Sequence, residues 1–360
     1  MSTPAAGTRT GSAASPAPAG TASALAGAPA RAPVAVLGSG SWGTALAIQF
    51  ARAGRPTLLW GRDAAQLAAC ERERRNARYL PDAPFPDGLV VEPDFAAAVG
   101  RALDVLVAVP SHAFRETLGH LRPLLAPGQR VAWATKGFEL DTGRLPHEVA
   151  REVLGASVPI AVLSGPTFAK EVGRGLPTAM TVASPDEAFA AELAVSLSGQ
   201  NFRAYTSPDI VGVEVGGAVK NVLAIATGIA DGMGYGANTR IALITRGLAE
   251  LTRLGLALGA REATFMGLAA LGDLVLTCTD DQSRNRRFGL AIARGRSAAE
   301  AMREIGQVIE GVQAARAVRT VAQRHGVEMP IAEQVYAILH EGRPVQDAVR
   351  ALMGRELKRE

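Results

Sequence analysis

The stretch that most constrains this chain is Val34-Ala35-Val36-Leu37-Gly38-Ser39-Gly40-Ser41-Trp42-Gly43-Thr44-Ala45-Leu46-Ala47. Four apolar residues read as a short buried strand. Gly38, Gly40 and Gly43 follow in the G-x-G-x-x-G spacing, and small, apolar residues then continue at helical spacing. Loops are rich in glycine anyway, so the flanking strand and helix carry the inference. In that setting the first glycine permits a tight turn and the second lets a ligand reach the backbone. The third lets helix pack closely on strand. The helix start offers unpaired N–H groups and partial positive charge to phosphates. The segment predicts dinucleotide binding.

Around this anchor the chain divides. A length of 360 residues suits two domains. Residues 1–30 are almost all Ala, Pro, Gly, Ser and Thr with one charge, Arg9. That composition buries too little apolar surface to offset ordering entropy, and it lacks the apolar core of a signal peptide. A disordered extension is expected there. Strand and helix patterns then alternate over residues 31–206, with strands expected at 34–37, 57–60, 89–91, 104–109, 130–134, 160–163, 178–183 and 202–205. Residues 76–81 lead into a Pro- and Asp-rich loop. Past Tyr205 the strand period is lost. Ser207-Pro208-Asp209 reads as a helix start with Ser207 as N-cap, and helices fill 207–354, including one expected over 263–271. Residues 355–360 form a charged tail. The fold expected is α/β: an N-terminal doubly wound sheet of Rossmann type, then an all-α C-terminal domain.

Composition narrows the function classes. The formal net charge is +4, but acids and bases are mixed, as in Glu71-Arg72-Glu73-Arg74-Arg75, a solvated helix face. A one-signed stripe interleaved with aromatics is missing, so no nucleic-acid partner is expected. No uninterrupted apolar run reaches about 18 residues, so no membrane span is expected. Cys70 and Cys278 cannot make a disulfide framework, and they imply free thiols in a reducing, cytoplasmic setting. Neither lies in a Cys/His cluster, so no metal site is expected.

Candidate ligand residues gather at the carboxyl ends of the strands, where open α/β sheets bind ligands. Arg62 stands just past the second strand, where an acid usually holds the ribose of NAD. An arginine there pairs with a 2′-phosphate, so NADP(H) is preferred over NAD(H). Asp63 reads as a helix N-cap. His112, with no carboxylate beside it, reads as a loop histidine. Lys136 follows the strand at 130–134 and faces the same crevice. Ser164-Gly165-Pro166-Thr167 is a turn with free N–H and hydroxyl groups at that edge. Among 38 basic residues only Lys136, Lys170, Lys220 and Lys358 are lysines. Lysine, unlike arginine, shifts its pKa readily. Lys220 and Asn221 are the only polar residues between Glu214 and Thr227, on an expected helix from 210 to about 229, and they predict a polar pocket. Gly212, Gly216 and Gly217 on that helix imply close packing or close ligand approach. Asp273 sits between apolar runs. Ser283-Arg284-Asn285-Arg286-Arg287 is either a phosphate-binding donor set or an ordinary basic loop.

Taken together, these motifs closely resemble one family, the NAD(P)-dependent sn-glycerol-3-phosphate dehydrogenases of bacterial type. The matching stretches are Gly38–Ala45, Val109-Pro110-Ser111, Thr135-Lys136-Gly137-Phe138-Glu139, Ser164–Ala169, Val219-Lys220-Asn221, Gly272-Asp273-Leu274, Ser283-Arg284-Asn285 and Glu310-Gly311. They run in the family's order from about residue 33 to 345, leaving the N-terminal extension outside. The resemblance implies that Lys220 is the proton donor and acceptor. Lys136, Gly165, Thr167, Lys220, Asp273, Ser283, Arg284 and Asn285 would contact substrate. Gly38, Gly40, Ser41, Trp42, Gly43, Arg62, Tyr79, Lys136, Ala169, Arg284, Val308 and Glu310 would contact cofactor. The implied reaction is reversible reduction of dihydroxyacetone phosphate to sn-glycerol 3-phosphate for glycerophospholipid synthesis, and the resemblance allows a homodimer. A β-hydroxyacid-type dehydrogenase is the competing enzyme reading, which the donor set at Ser283–Arg287 disfavours. A non-catalytic dinucleotide sensor is the other, disfavoured by Lys220 and Asp273.

Overall fold

The computed structural model describes Met1 and residues 32–356. The extension expected over 1–30, Met1 apart, and residues 357–360 of the tail lie outside the described residues. The sheet-forming half contains β1 (Val34–Leu37), α1 (Ser41–Arg52), β2 (Thr57–Trp60), α2 (Ala64–Glu73), β3 (Arg75–Asn76), β4 (Leu80–Pro84), β5 (Leu89–Val91) and α3 (Phe95–Gly100). It continues with β6 (Asp104–Val107), α4 (Phe114–Leu121), β7 (Arg130–Trp133), α5 (Pro146–Leu154), β8 (Ile160–Ser164), α6 (Ala169–Arg174), β9 (Thr178–Ala183), α7 (Glu187–Leu197) and β10 (Phe202–Ser207). Helices follow: α8 (Ile210–Gly232), α9 (Ala237–Ala257), α10 (Asp273–Thr279), α11 (Arg284–Ala293), α12 (Ala298–Ile305), α13 (Glu310–Arg324), α14 (Pro330–His340) and α15 (Val345–Met353).

Eight strands form one sheet in the order β10-β9-β8-β7-β6-β1-β2-β5. All neighbours are parallel except β8 and β9. Alternation along β1 shows why helices cover both faces. Val34 and Val36 enter one core with Leu46, Phe50 and Leu193. Ala35 and Leu37 enter the opposite core with Phe114, Leu118 and Val149. A strand apolar on both sides can be stable only between two helical layers. The chain runs outward from β1 through β2 to β5, then returns to β6 on the other side of β1. This reversal opens a crevice at the carboxyl ends of β1 and β6.

Within the helical half, α8 is the axis. It is long and apolar enough to cross a bilayer by length and composition, yet 89% of its apolar window is buried inside the protein. Val215, Val219, Val222 and Leu223 pack there with Leu251 of α9, Phe288 of α11 and Val318 of α13.

Local expectations are corrected in four places. Residues 75–84 form the antiparallel pair β3–β4 instead of a loop. β6 ends at Val107, and Ala108 donates its N–H to Leu37 O as the chain leaves for the ligand edge. Ser207 remains in β10, while Asp209 caps α8 by accepting from Gly212 N at 2.9 Å. The carboxylate also accepts from Arg261 N and Thr264 Oγ1, so tertiary partners select the aspartate over the serine. The helix expected at 263–271 is a 3-10 segment (Glu262–Met266) and a π-helical turn (Leu268–Gly272), broken at Gly267.

Candidate active site

The glycine loop is built mostly by backbone. Gly38 has φ +128°, open to glycine but rarely to residues with a Cβ, and a Cβ there would strike the Ala108 carbonyl. At Gly43 a Cβ would meet Gly38 O, so α1 can sit directly on the turn only with glycine there. Gly40 differs: a Cβ would meet nothing within 4 Å. The loop therefore leaves open space over Gly40, beside the first N–H groups of α1. That space and those donors fit a pyrophosphate. The indole Nε1 of Trp42 is buried and has no hydrogen-bond partner among the described residues. Ser41 Oγ donates to Tyr79 O at 3.4 Å, which brings Tyr79 to the loop. Arg62 is exposed after β2, and Asp63 caps α2 by accepting from Gln66 N.

A second centre lies where α8 crosses the ends of β7 and β8. Lys220 Nζ donates to Asp273 Oδ1 at 2.5 Å, and Lys136 Nζ donates to Asp273 Oδ2 at 2.7 Å. Asp273, at the start of α10, is only 1% exposed, so the two ammonium groups take the place of water around it. The glycines of α8 make this approach geometrically feasible. A Cβ at Gly216 would lie 2.6 Å from Ala269 O, in the π-helical turn that leads to Asp273. A Cβ at Gly217 would lie 3.4 Å from both Lys136 Cγ and Ser164 Oγ. Packing requires the first glycine; at the second a Cβ would make ordinary contact with the lysine stem. Burial lowers the Lys220 pKa to about 8; Asp273 works against that shift and the Lys136 charge adds to it. An amine so placed exchanges a proton near neutral pH, which a free lysine does poorly.

Further predicted residues join through hydrogen bonds. Asn221, next to Lys220, donates to Glu310 Oε2 at 3.0 Å. Gly311 N donates to Asn285 Oδ1 at 2.9 Å. Arg284 is partly buried and reaches Gln307 Oε1 at 3.4 Å, close in sequence to exposed Val308. Ser283 caps α11, and its hydroxyl is shared with Thr277 Oγ1 at 2.9 Å. The turn after β8 holds Gly165, Pro166 and Thr167, and Pro166 Cγ approaches within 3.5 Å of the place a Cβ would take on Gly272. Thr167 Oγ1 donates to Gly165 O, and Ala169 opens α6. The basic run at 283–287 separates in space: Arg286 is buried against Asp231 and Asp281, and Arg287 is exposed. No hydrogen bond between described residues ties Arg62, Tyr79 or Val308 directly to Lys220.

Sequence reasoning missed two contributors, Asn76 and Glu214, and named Ser164 only as part of its turn. Asn76 is fully buried; its Nδ2 donates to Ser39 O and Thr44 Oγ1, both at 2.9 Å, and so clamps the glycine loop. Ser164 Oγ is buried near Lys136 with no hydrogen-bond partner among the described residues. Glu214, on α8, accepts from Trp133 Nε1 and from His147. A polar residue in an apolar run was the available signal for Glu214; Asn76, in a polar stretch, carried none.

Residues 33–190 match the family described as NAD-dependent glycerol-3-phosphate dehydrogenase N-terminus, and residues 209–350 match its C-terminus. A Tolumonas auensis protein named glycerol-3-phosphate dehydrogenase (NAD(P)+) is 56% identical over 328 residues, covering 91% of this chain and 98% of that protein. A Shigella boydii protein of the same name is 55% identical over 330 residues, covering 91% and 97%. The crystal structure of a Coxiella burnetii glycerol-3-phosphate dehydrogenase superposes with a TM-score of 0.87 at 49% identity, covering 91% of this chain and 100% of that one.

Proposed function

This chain belongs to the NAD-dependent glycerol-3-phosphate dehydrogenase family, and we propose that Lys220, held by Asp273 beside Lys136, is its proton donor and acceptor. The enzyme catalyses reversible NAD(P)H-dependent reduction of dihydroxyacetone phosphate to sn-glycerol 3-phosphate, supplying glycerophospholipid synthesis. The observation that carries the assignment of roles is the pair of lysines sharing one buried carboxylate at the sheet's ligand edge.

Nicotinamide, when bound, supplies the hydride that adds to the ketone carbon. The carbonyl oxygen then gains negative charge. Lys220 stabilises that charge as an ammonium and passes its Nζ proton to the oxygen; in the oxidative direction the neutral amine takes the proton back. Lys136 holds positive charge next to the same oxygen and meets both substrate and cofactor. Asp273 orients both ammonium groups. Gly165, Thr167, Arg284 and Asn285 bind the remainder of the substrate, with the Arg284 guanidinium and the Asn285 amide on the phosphate. Ser283 serves this site through the turn it caps. Phosphate binding away from the reacting carbon positions the carbonyl. Gly38, Gly40, Ser41, Trp42 and Gly43 would hold the dinucleotide, with Tyr79, Ala169, Val308 and Glu310 as its further contacts. Arg62, exposed at the end of β2, receives the 2′-phosphate and favours NADPH over NADH.

In this reading the cofactor-binding domain expected over 31–206 closes with β10 at Ser207, one residue later, and the substrate-binding domain expected over 207–354 opens with α8. Free Cys70 and Cys278 support a cytoplasmic location. A homodimer, which the resemblance allows, belongs to the same reading. Initial rates with dihydroxyacetone phosphate and either NADPH or NADH test the assignment. Cofactor oxidation dependent on this ketose phosphate is expected, faster at low NADPH than at equal NADH. Turnover of a β-hydroxyacid instead, or tight cofactor binding with no turnover, would point to the competing readings.

A further inference from the structure

One buried network lies outside the chemistry above and touches both lysine-bearing elements. Glu214, in the second turn of α8, stands six residues before Lys220 on the same helix. Trp133, the last residue of β7, stands three residues before Lys136. Glu214 Oε1 accepts from Trp133 Nε1 and from His147 N, each at 3.0 Å. Its other oxygen meets His147 Nδ1 at 2.5 Å. Trp133 is fully buried, and Glu214 is 4% exposed, so water cannot substitute for these partners. The Trp133 ring also packs edge-on against Phe114, at 5.5 Å between centroids, which holds the indole in place.

We propose that Glu214 is a positioning residue for this reaction: its carboxylate ties the strand that leads to Lys136 to the helix that carries Lys220, and so sets the separation at which both ammonium groups meet Asp273. The inference rests on the roles given to the two lysines above. The reasoning is mechanical. Asp273 comes from α10 and could follow either lysine alone. A fixed placement of α8 on β7 keeps both within hydrogen-bond reach at once; Ile210 and Val213 share a core with Val131 and Trp133, and Glu214 adds the directional hydrogen bond. Gly217 of α8 faces the Lys136 stem, whose Cγ lies 3.4 Å from the place a Cβ would take, so a slide of that helix along the sheet would move Lys220 relative to Lys136. Burial raises the Glu214 pKa. The carboxylate in turn outweighs the effect of burial on His147 and raises the imidazole pKa. Donors thus converge on Glu214 from β7 and from the start of α5, and both bear on the same helix.

The chain's four lysines make the test direct. Full-length protein labelled with 13C at the lysine ε-carbon is compared as wild type, Glu214→Ala, Glu214→Gln and Trp133→Phe. Lys136→Arg and Lys220→Arg supply the assignments. Trp133→Phe keeps an aromatic ring and removes the hydrogen bond from strand to helix, with a smaller loss of buried volume, so it remains informative if Glu214→Ala does not fold. The Lys136 and Lys220 resonances are expected to move in Trp133→Phe and Glu214→Ala, and with them the Lys220 titration midpoint, while the Lys170 and Lys358 resonances stay. In Glu214→Ala kcat is expected to fall about 100-fold, the scale of a misplaced catalytic group, with cofactor affinity retained. Glu214→Gln, which keeps an acceptor for Trp133, is expected to recover most of that loss. Unmoved Lys136 and Lys220 resonances in folded variants would overturn the proposal. So would a kcat loss in Glu214→Gln as large as in Glu214→Ala. Wild-type protein inert toward dihydroxyacetone phosphate would instead overturn the functional reading, leaving the resonances to decide this one.

Discussion

The loop after β1 and the centre beneath α8 both receive charge, but they are made of different material. The loop is backbone: consecutive N–H groups at a helix start, with glycines removing whatever would obstruct them. The centre is side chains. Lys136 and Asp273 are 137 positions apart in sequence, and Lys220 and Asp273 are 53 apart. A backbone site tolerates many side chains and fails when atoms are added. A convergent side-chain site tolerates little removal, because each group left behind is buried and loses its counter-charge.

The sharpest separation of the two regions is Lys220→Ala. It is expected to lower kcat by about 10²–10⁴-fold, the range of general acid–base catalysis. Cofactor affinity, followed by fluorescence titration, should stay within about twofold, since truncation removes no loop contact. An equal loss in both quantities would show that the two regions are not independent.

Within the loop, Gly43 and Gly40 should part company. Gly43→Ala drives a Cβ into the Gly38 carbonyl and is expected to cost about 1–3 kcal/mol in denaturant melts, as overpacking does. Gly40→Ala has open space around its Cβ, so the melt should be unchanged while cofactor affinity drops. A destabilised Gly40→Ala would mean that the space over that residue belongs to the fold and not to a ligand.

The centre also carries a pH signature that the loop lacks. Lys220 has a pKa lowered to about 8 by burial. Reduction consumes its ammonium form, so kcat for reduction is expected to fall as pH rises through about 8, by up to tenfold per unit. Oxidation requires the neutral amine, so its rate should rise through the same midpoint. The stability linkage has a definite sign. A lysine pKa depressed on folding means that the unfolded chain binds more protons between about 8 and 10.4, so this group's penalty is relieved as pH rises across that window. Profiles of kcat against pH in both directions check the midpoint.

The smallest effect belongs to the rim. Arg62 is exposed, and Arg62→Ala is expected to raise KM for NADPH about tenfold, or about 1.4 kcal/mol, leaving KM for NADH unchanged. Equal changes for both cofactors would remove Arg62 from the selection of the 2′-phosphate.

How far each region could be read in advance follows from the same contrast. The strand, turn and helix from Val34 to Arg52 are contiguous, and short-range sterics dictate them. β2, β5, β7 and β9 likewise fall where apolar, β-branched runs placed them. Lys220 was visible because a charge in the middle of an apolar helix needs a partner, and Asp273 because it interrupts apolar runs. Neither signal said that the two would meet. The run from Ser283 to Arg287 misled in part, since a row of donors in sequence points in several directions once wound into α11. Arg286 spends its charge on Asp231 and Asp281, whereas Arg284 stays beside Gln307.

Local order in the chain was thus enough for the alternating elements, the dinucleotide turn and the candidate lysines, because those depend on residues within a few positions of one another. Long-range packing alone decided that Asp209 and not Ser207 caps α8, that Asn76 clamps the loop, and that Lys136, Lys220 and Asp273 share one point. The physical reason is the same in each case. A buried polar group must find a partner, and which partner reaches it depends on how distant segments cross, as α8 does over the ends of β7 and β8.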